Sequence, residues 1–299
     1  MSGLCEGRVA VITGAGRGIG REYALMLAEQ GAKIVVNDLG GDAAGAGSDL
    51  TPAQQTVEDI RAAGGEAVVN GADVSDFDQA KAMIDQAVET FGGLDIVVNN
   101  AGILRDRMLV SMSEDEWDLV VKVHLKGTYA PSHHAANYWR ERSKEGHENV
   151  ARIINTTSAS GIFGNVGQTN YGAAKAGIAA FTVIAAKELG RYGVTVNAIA
   201  PTALTRLTAQ VGMDQLPEDT KAALDPKWIA PVVTWLCSPE SSEVTGRVFT
   251  VSGQEIGVAE GWHVGPTAAP AEDPAALGAV IPDLVRQARP NATMFGRDE

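Results

Sequence analysis

Arg8-Val-Ala-Val-Ile-Thr-Gly14-Ala-Gly-Arg-Gly18-Ile-Gly20 is the stretch on which the reading of this chain turns. A β-branched run enters a glycine-rich turn, and a helical pattern continues from the turn through Leu27. Such a strand-turn-helix unit lets backbone N–H groups approach a pyrophosphate, whose charge the helix N-terminus favours. The spacing is Gly-x-x-x-Gly-x-Gly at 14, 18 and 20, with Arg17 and Ile19 inside it, not Gly-x-Gly-x-x-Gly. Glycine clusters alone are weak signals. The flanking strand and helix are what make this one a dinucleotide turn.

The same alternation continues outward. Strand candidates are Arg8–Thr13, Lys33–Asn37, Glu66–Asn70, Leu94–Asn99, Arg152–Thr156, Thr195–Ile199 and Val248–Val251. Helical patterns lie near 18–30, 52–63, 76–91, 113–142, 170–192 and 227–238. Near-continuous apolar strands alternating with helices predict a parallel sheet covered on both faces. The expected architecture is a single-domain, Rossmann-like, doubly wound α/β fold over residues 1–252. The proline-dotted tail 253–299 is expected to be an extension packed on the domain or a neighbouring subunit, with a short helix near Ala275–Arg289.

Three further features sit at predicted carboxyl ends of strands, where open parallel sheets bind ligands. Asp38 ends Ile34-Val-Val-Asn-Asp38, eighteen residues after Gly20. A carboxylate there accepts hydrogen bonds from the adenosine ribose and repels a 2′-phosphate, favouring NAD over NADP. Arg17 argues the other way, since a basic residue in the turn can meet that phosphate. Asp73 and Val74 follow the third strand, where they could contact the adenine. Asn99-Asn100-Ala101-Gly102 follows the fourth, where Ala101 and Gly102 leave room for backbone to approach the cofactor.

A second signal lies downstream. Tyr171 and Lys175 are four apart and share one face of a helix. An ammonium beside a phenol favours the phenolate, so the pair suits proton exchange with an alcohol. Ser158, thirteen residues upstream, could hydrogen-bond the same substrate oxygen.

The 299 residues carry 24 Lys and Arg against 37 Asp and Glu, a formal charge of −13. That balance argues against a nucleic-acid or anionic-membrane surface. Two cysteines, Cys5 and Cys237, make no disulfide framework and fit a reduced, cytoplasmic setting. No run reaches the roughly 18 apolar residues of a membrane span. His133 and His134 are adjacent and have no partner at ligand spacing, so no metal is expected.

Taken together, Thr13-Gly-Ala-Gly-Arg-Gly-Ile-Gly20, Asn99-Asn-Ala-Gly102, Ser158 and Tyr171-Gly-Ala-Ala-Lys175 resemble the short-chain dehydrogenase/reductase family over residues 8 to about 252. The resemblance implies a seven-stranded parallel sheet, nicotinamide-dependent hydride transfer and a homodimer or homotetramer. It makes Tyr171 the acid/base, gives Lys175 the ribose hydroxyls, gives Ser158 the substrate oxygen, and extends through Ile199-Ala-Pro201 to a cofactor contact at Pro201. His124 stands where the family often has an asparagine as a fourth catalytic member, which makes it a candidate for that place.

Val36-Asn-Asp-Leu-Gly-Gly41, Val123-His-Leu-Lys-Gly127 and Ser158-Ala-Ser-Gly-Ile-Phe-Gly-Asn165 look like the (3R)-hydroxyacyl-CoA dehydrogenase units of the peroxisomal multifunctional enzymes of type 2, without room for their other domains. This similarity implies an acyl-CoA or steroid substrate. The lid is expected at Thr202–Leu224, with Leu204, Leu207, Val211, Met213 and Leu216, and Arg105, Arg107 and Arg206 are candidates for coenzyme A phosphates. A hydroxysteroid or steroid-CoA dehydrogenase is the close alternative. A catalytically idle dinucleotide scaffold is the distant one, and the intact Ser158, Tyr171 and Lys175 count against it.

Overall fold

A computed structural model describes residues 3–205 and 215–298. Seven strands run parallel: β1 (Val9–Thr13), β2 (Lys33–Asn37), β3 (Ala67–Asn70), β4 (Ile96–Asn99), β5 (Ala151–Thr156), β6 (Val194–Pro201) and β7 (Val248–Val251). An eighth, β8 (Ile256–Ala259), pairs antiparallel with β7 and was not foreseen from the sequence. It is only 4 residues long and contains Gly257, whose bare Cα lets Thr250 approach from β7. A glycine in so short a run hides the strand pattern.

Ten helices are described: α1 (Gly18–Glu29), α2 (Thr51–Ala62), α3 (Phe77–Phe91), α4 (Glu114–Val121), α5 (Gly127–Lys144), α6 (Ala159–Ile162), α7 (Thr169–Leu189), α8 (Glu218–Ala223), α9 (Ala230–Cys237) and α10 (Leu277–Gln287). The sheet order is β3-β2-β1-β4-β5-β6-β7-β8, so the chain reverses direction across the sheet between β1 and β4. Crevices at such switch points bind ligands at the strands' carboxyl ends.

Strand alternation divides the core in two. Ala10, Ile12, Ile34, Val36, Ile96, Val98 and Ile154 pack against Tyr23 and Leu27 of α1, Val57 of α2 and Val233 and Leu236 of α9. The intervening Val9, Val11, Val35, Val97 and Ile153 pack against Met83 and Ile84 of α3, Trp139 of α5 and Ala185 of α7. Both faces are buried, which explains the near-continuous apolar strands. Trp139 is fully enclosed, and its indole N–H donates to Leu94 O at 2.7 Å.

The single helix expected over 113–142 is interrupted. Ser113 starts α4 with a capping box closed by Glu116, and a π-helical turn, Lys122–Lys126, separates α4 from α5. Such turns re-aim side chains without leaving a mark in hydrophobic periodicity.

Candidate active site

The glycine turn is built by close approach. Gly14 has φ +63°, and a Cβ there would lie 2.9 Å from Ala101 Cα. A Cβ on Gly20 would run into Gly14 O and the Asn100 side chain. Asn100 Nδ2 donates to Thr13 O at 3.1 Å and Gly14 O at 3.2 Å, while Thr13 Oγ1 accepts from Asn100 N at 2.9 Å. The ends of β1 and β4 are thereby stitched together at the switch point. Ile19 packs on the core, and no side chain caps the first turn of α1. Uncapped N–H groups at a helix start, behind glycines that admit no Cβ, fit a dinucleotide pyrophosphate.

Asp38 reaches this turn. Its Oδ2 accepts from Gly16 N at 2.8 Å and its Oδ1 from Gly40 N at 2.7 Å, which fixes the carboxylate at the end of β2. Arg17 is exposed and lies 4.0 Å from Asp49. Asp73 Oδ1 accepts from Ser75 N and Oγ, while Val74 is buried against Gly127. Pro201 closes β6, and Thr202 N donates to Val251 O at 2.8 Å.

Beyond β5, the chain delivers the second group of residues. Ser158 is the N-cap of α6, and its Oγ accepts from Ser160 N at 3.2 Å. The start of α7 is anchored by fully buried Asn170, which donates to Arg105 O at 3.0 Å and Glu116 O at 3.1 Å. Gly161 lets α6 lie against α7, since a Cβ would come within 2.7 Å of Lys175. Lys175 is buried; its Nζ donates to Thr156 O at 2.6 Å and stands 5.5 Å above the Tyr171 ring centroid.

The electrostatics differ from the simple expectation of a lysine lowering the phenol. Burial pushes the Tyr171 hydroxyl up to about 12; the Ser158 hydroxyl opposes that shift, and the Asp106 carboxylate adds to it. Lys175 is itself drawn down to about 7 by burial. Its ammonium is directed at Thr156 O and over the ring, so Ser158 is the protein group that pulls the phenol down in this geometry.

His124 lies in the π turn, buried, with its ring edge-on to Tyr171 at 5.1 Å and 87°. Its Nε2 is 2.7 Å from Ile103 O and 3.1 Å from Ile103 N. Nδ1 is buried without a hydrogen-bond partner, and burial with help from Lys175 lowers the imidazole to about 3. A Cβ on Gly102 would strike this ring, so Gly102 serves the packing of His124. Sequence reading had connected that glycine only with a cofactor.

Sequence reading also missed Asp106. Its Oδ2 accepts from Gln168 Nε2 at 2.7 Å, its Oδ1 is buried and unpartnered, and burial raises its pKa. Gln168 Oε1 in turn accepts from Ser160 Oγ at 2.6 Å and Asn165 Nδ2 at 2.9 Å. No periodic spacing links Asp106 to Gln168; pairing between Arg107 and Gln168 brings them together.

Of the proposed phosphate ligands, Arg107 pairs with Glu116 at 3.0 Å and Arg105 Nε donates to Ala44 O at 2.9 Å. Arg206, with Leu207, Val211 and Met213 of the expected lid, lies outside the described residues. Cys5 and Cys237 are free and buried. Among the described residues no helix is long and apolar enough to cross a membrane, and no cluster could hold a metal ion.

Comparison with known proteins agrees with this geometry. Residues 8–215 match the model of the short chain dehydrogenase family. Peroxisomal multifunctional enzyme type 2 of Drosophila melanogaster is 50% identical over 241 residues, 81% of this chain and 38% of that protein. Its mouse counterpart is 45% identical over 252 residues, 84% of this chain and 32% of that protein. The chain thus spans about a third of these multifunctional relatives. Hydroxyacyl-CoA dehydrogenase ChsB1 of Mycobacterium tuberculosis is 45% identical over 260 residues, 84% of this chain and 79% of that protein. A crystal structure of a short chain dehydrogenase from Mycobacterium avium superposes with a TM-score of 0.87 at 51% identity, covering 97% of this chain and 98% of that one. The chain belongs to the short-chain dehydrogenase family of oxidoreductases.

Proposed function

We propose that the protein is an NAD-dependent 3-hydroxyacyl-CoA dehydrogenase with Tyr171 as its acid/base. The observation that carries the chemistry is the convergence of Ser158 and Lys175 on Tyr171, which is joined to the glycine turn through His124, Gly102 and Ala101. The names of the relatives, hydroxyacyl-CoA dehydrogenase among them, support the substrate class. When bound, an oxidised nicotinamide supplies the hydride acceptor and a positive charge. Ser158 holds the substrate oxygen, and the Tyr171 phenolate takes the hydroxyl proton. Lys175, at about 7, exchanges a proton near neutral pH and holds the ribose hydroxyls. His124, neutral and engaged at Ile103, acts as a positioning residue for the Tyr171 ring.

Gly14, Arg17, Gly18, Ile19, Gly20, Asp38, Asp73, Val74, Asn100, Ala101, Gly102 and Pro201 make up the proposed coenzyme cleft. The fixed carboxylate of Asp38 supports NAD over NADP. Residues 1–252 form the catalytic domain in this reading, and 253–299 an extension. Exposed Trp262, Val264, Val285 and Phe295 in that extension support its packing on a neighbouring copy in a homodimer or homotetramer. Two buried, unpaired cysteines and an acidic composition support a cytoplasmic setting.

Tyr171→Phe is expected to abolish turnover while calorimetric NAD binding persists; near-normal turnover would refute the acid/base role. A panel of (3R)- and (3S)-hydroxyacyl-CoAs and hydroxysteroids, each with NAD and NADP, tests the substrate. Turnover of hydroxysteroids alone would replace this reading with its alternative.

A further inference from the structure

The corner where β2, the glycine turn and the start of α2 meet holds more charge than coenzyme binding through Asp38 requires. A Cβ on Gly16 would lie 2.8 Å from Asp38 Oδ2, 3.0 Å from Ala53 N and 3.0 Å from Pro52 Cβ, so the three segments are in contact there. Arg17 follows Gly16, and Asp49 stands three residues before Pro52. The loop between β2 and α2 is drawn back by Asp49 N donating to Leu39 O at 3.1 Å. That closure returns Asp49 to the strand end carrying Asp38. Gly40 makes the closure possible, because it adopts φ +77° and any Cβ would collide with Asp49 backbone.

Within this corner Asp49 is oriented. Its Oδ1 accepts from Thr51 N at 2.9 Å, leaving Oδ2 4.0 Å from the Arg17 guanidinium. The Thr51 contacts, followed by Arg17, hold the carboxyl below its usual range, so it is ionised at neutral pH. Arg17 is the one basic side chain in the glycine turn, and guanidinium groups are strong ligands for phosphate monoesters. Its position beside Gly16, whose N–H binds Asp38, puts it next to the carboxylate assigned to the ribose.

We propose that Asp49 is a second coenzyme-selecting residue, which holds the guanidinium of Arg17 away from a 2′-phosphate. The proposal rests on the reading of Asp38 as the ribose ligand. Asp38 disfavours the phosphorylated coenzyme by direct repulsion, and Asp49 does so by occupying the cation that would compensate. An arginine in the turn is thereby compatible with NAD preference.

The test uses calorimetric titration of the full chain with 5′-AMP and 2′,5′-ADP, which differ only in the 2′-phosphate. It compares wild type, Asp49→Asn, Arg17→Ala and the double variant. Asparagine retains the oxygen that accepts from Thr51. Freeing Arg17 from an exposed ion pair is expected to raise the affinity ratio of 2′,5′-ADP to 5′-AMP about two- to five-fold in Asp49→Asn. The double variant should show no such gain over Arg17→Ala, and kcat/KM for NADP relative to NAD should follow the same order. An unchanged ratio in Asp49→Asn overturns the proposal. So does an equal gain without Arg17, which would make Asp49 a bulk negative charge only. Failure of the underlying reading looks different: Asp38→Asn would leave the ratio unchanged, whatever Asp49→Asn does.

Discussion

Gly102→Ala tests whether this glycine exists for His124 or for the coenzyme. A Cβ built at 102 meets His124 Cε1 well inside van der Waals distance, and lies 3.1 Å from Nδ1 and 3.3 Å from Nε2. The imidazole has little room to yield, because Nε2 is held at Ile103 O and Tyr171 meets the ring edge-on at 5.1 Å. Overpacking of this kind costs about 1–3 kcal/mol. For a chain of this length each kcal/mol lowers Tm by roughly 2–4 °C, so a fall of several degrees is expected. His124→Ala alone should also destabilise, by opening a cavity and leaving Ile103 unpaired. In the double variant the new methyl occupies space the imidazole left. Thermal and urea unfolding should therefore show the two changes coupled by about 1–2 kcal/mol rather than additive. Calorimetric NAD titration supplies the second readout, and the double variant should bind better than Gly102→Ala alone. Additive stabilities, or a Gly102→Ala protein with wild-type Tm, would refute the packing argument. Equal loss of NAD binding with and without His124 would return Gly102 to the coenzyme.

Two other outcomes follow from the same geometry. Removing the carboxylate in Asp106→Asn should move the rising limb of kcat/KM for alcohol oxidation to lower pH, because an anion near Tyr171 disfavours the phenolate. Ser158, Lys175 and neutral His124 remain in place, so a limb that stays put or moves upward contradicts the assignment. Trp139→Ala should cost about 3–5 kcal/mol in urea unfolding, from the lost fill of a fully enclosed site. An unchanged midpoint would mean that the face of the core built on Met83, Ile84 and Trp139 contributes little.

The legible part of the site is its local part. Gly14 to Gly20 reads as a turn because strand and helix adjoin it in sequence, and Tyr171 and Lys175 share a helix face by spacing alone. The strands could be placed because burial on both faces makes them continuously apolar, as in Val9–Thr13. Asp106 and Gln168 could not be paired, since they lie 62 residues apart and neither belongs to a repeating pattern. The π turn at 122–126 was invisible for a related reason: one re-aimed turn barely disturbs apolar periodicity, yet it buries His124 beside Tyr171.

By itself, then, the sequence determined the fold class and pointed to the glycine turn proposed for the dinucleotide and to the residues proposed to handle the proton, because each depends on neighbours within one element or one crossover. Tertiary structure decided their energetics. Burial, a property of the whole packed sheet, sets Tyr171 high and Lys175 near neutrality, and Ser158 reaches the phenol only because α6 lies against α7. Folding likewise turned Gly102 toward His124 and brought Asp49 back to Arg17. Such contacts join residues whose separation along the chain carries no period, so only the packed sheet and its loops can specify them.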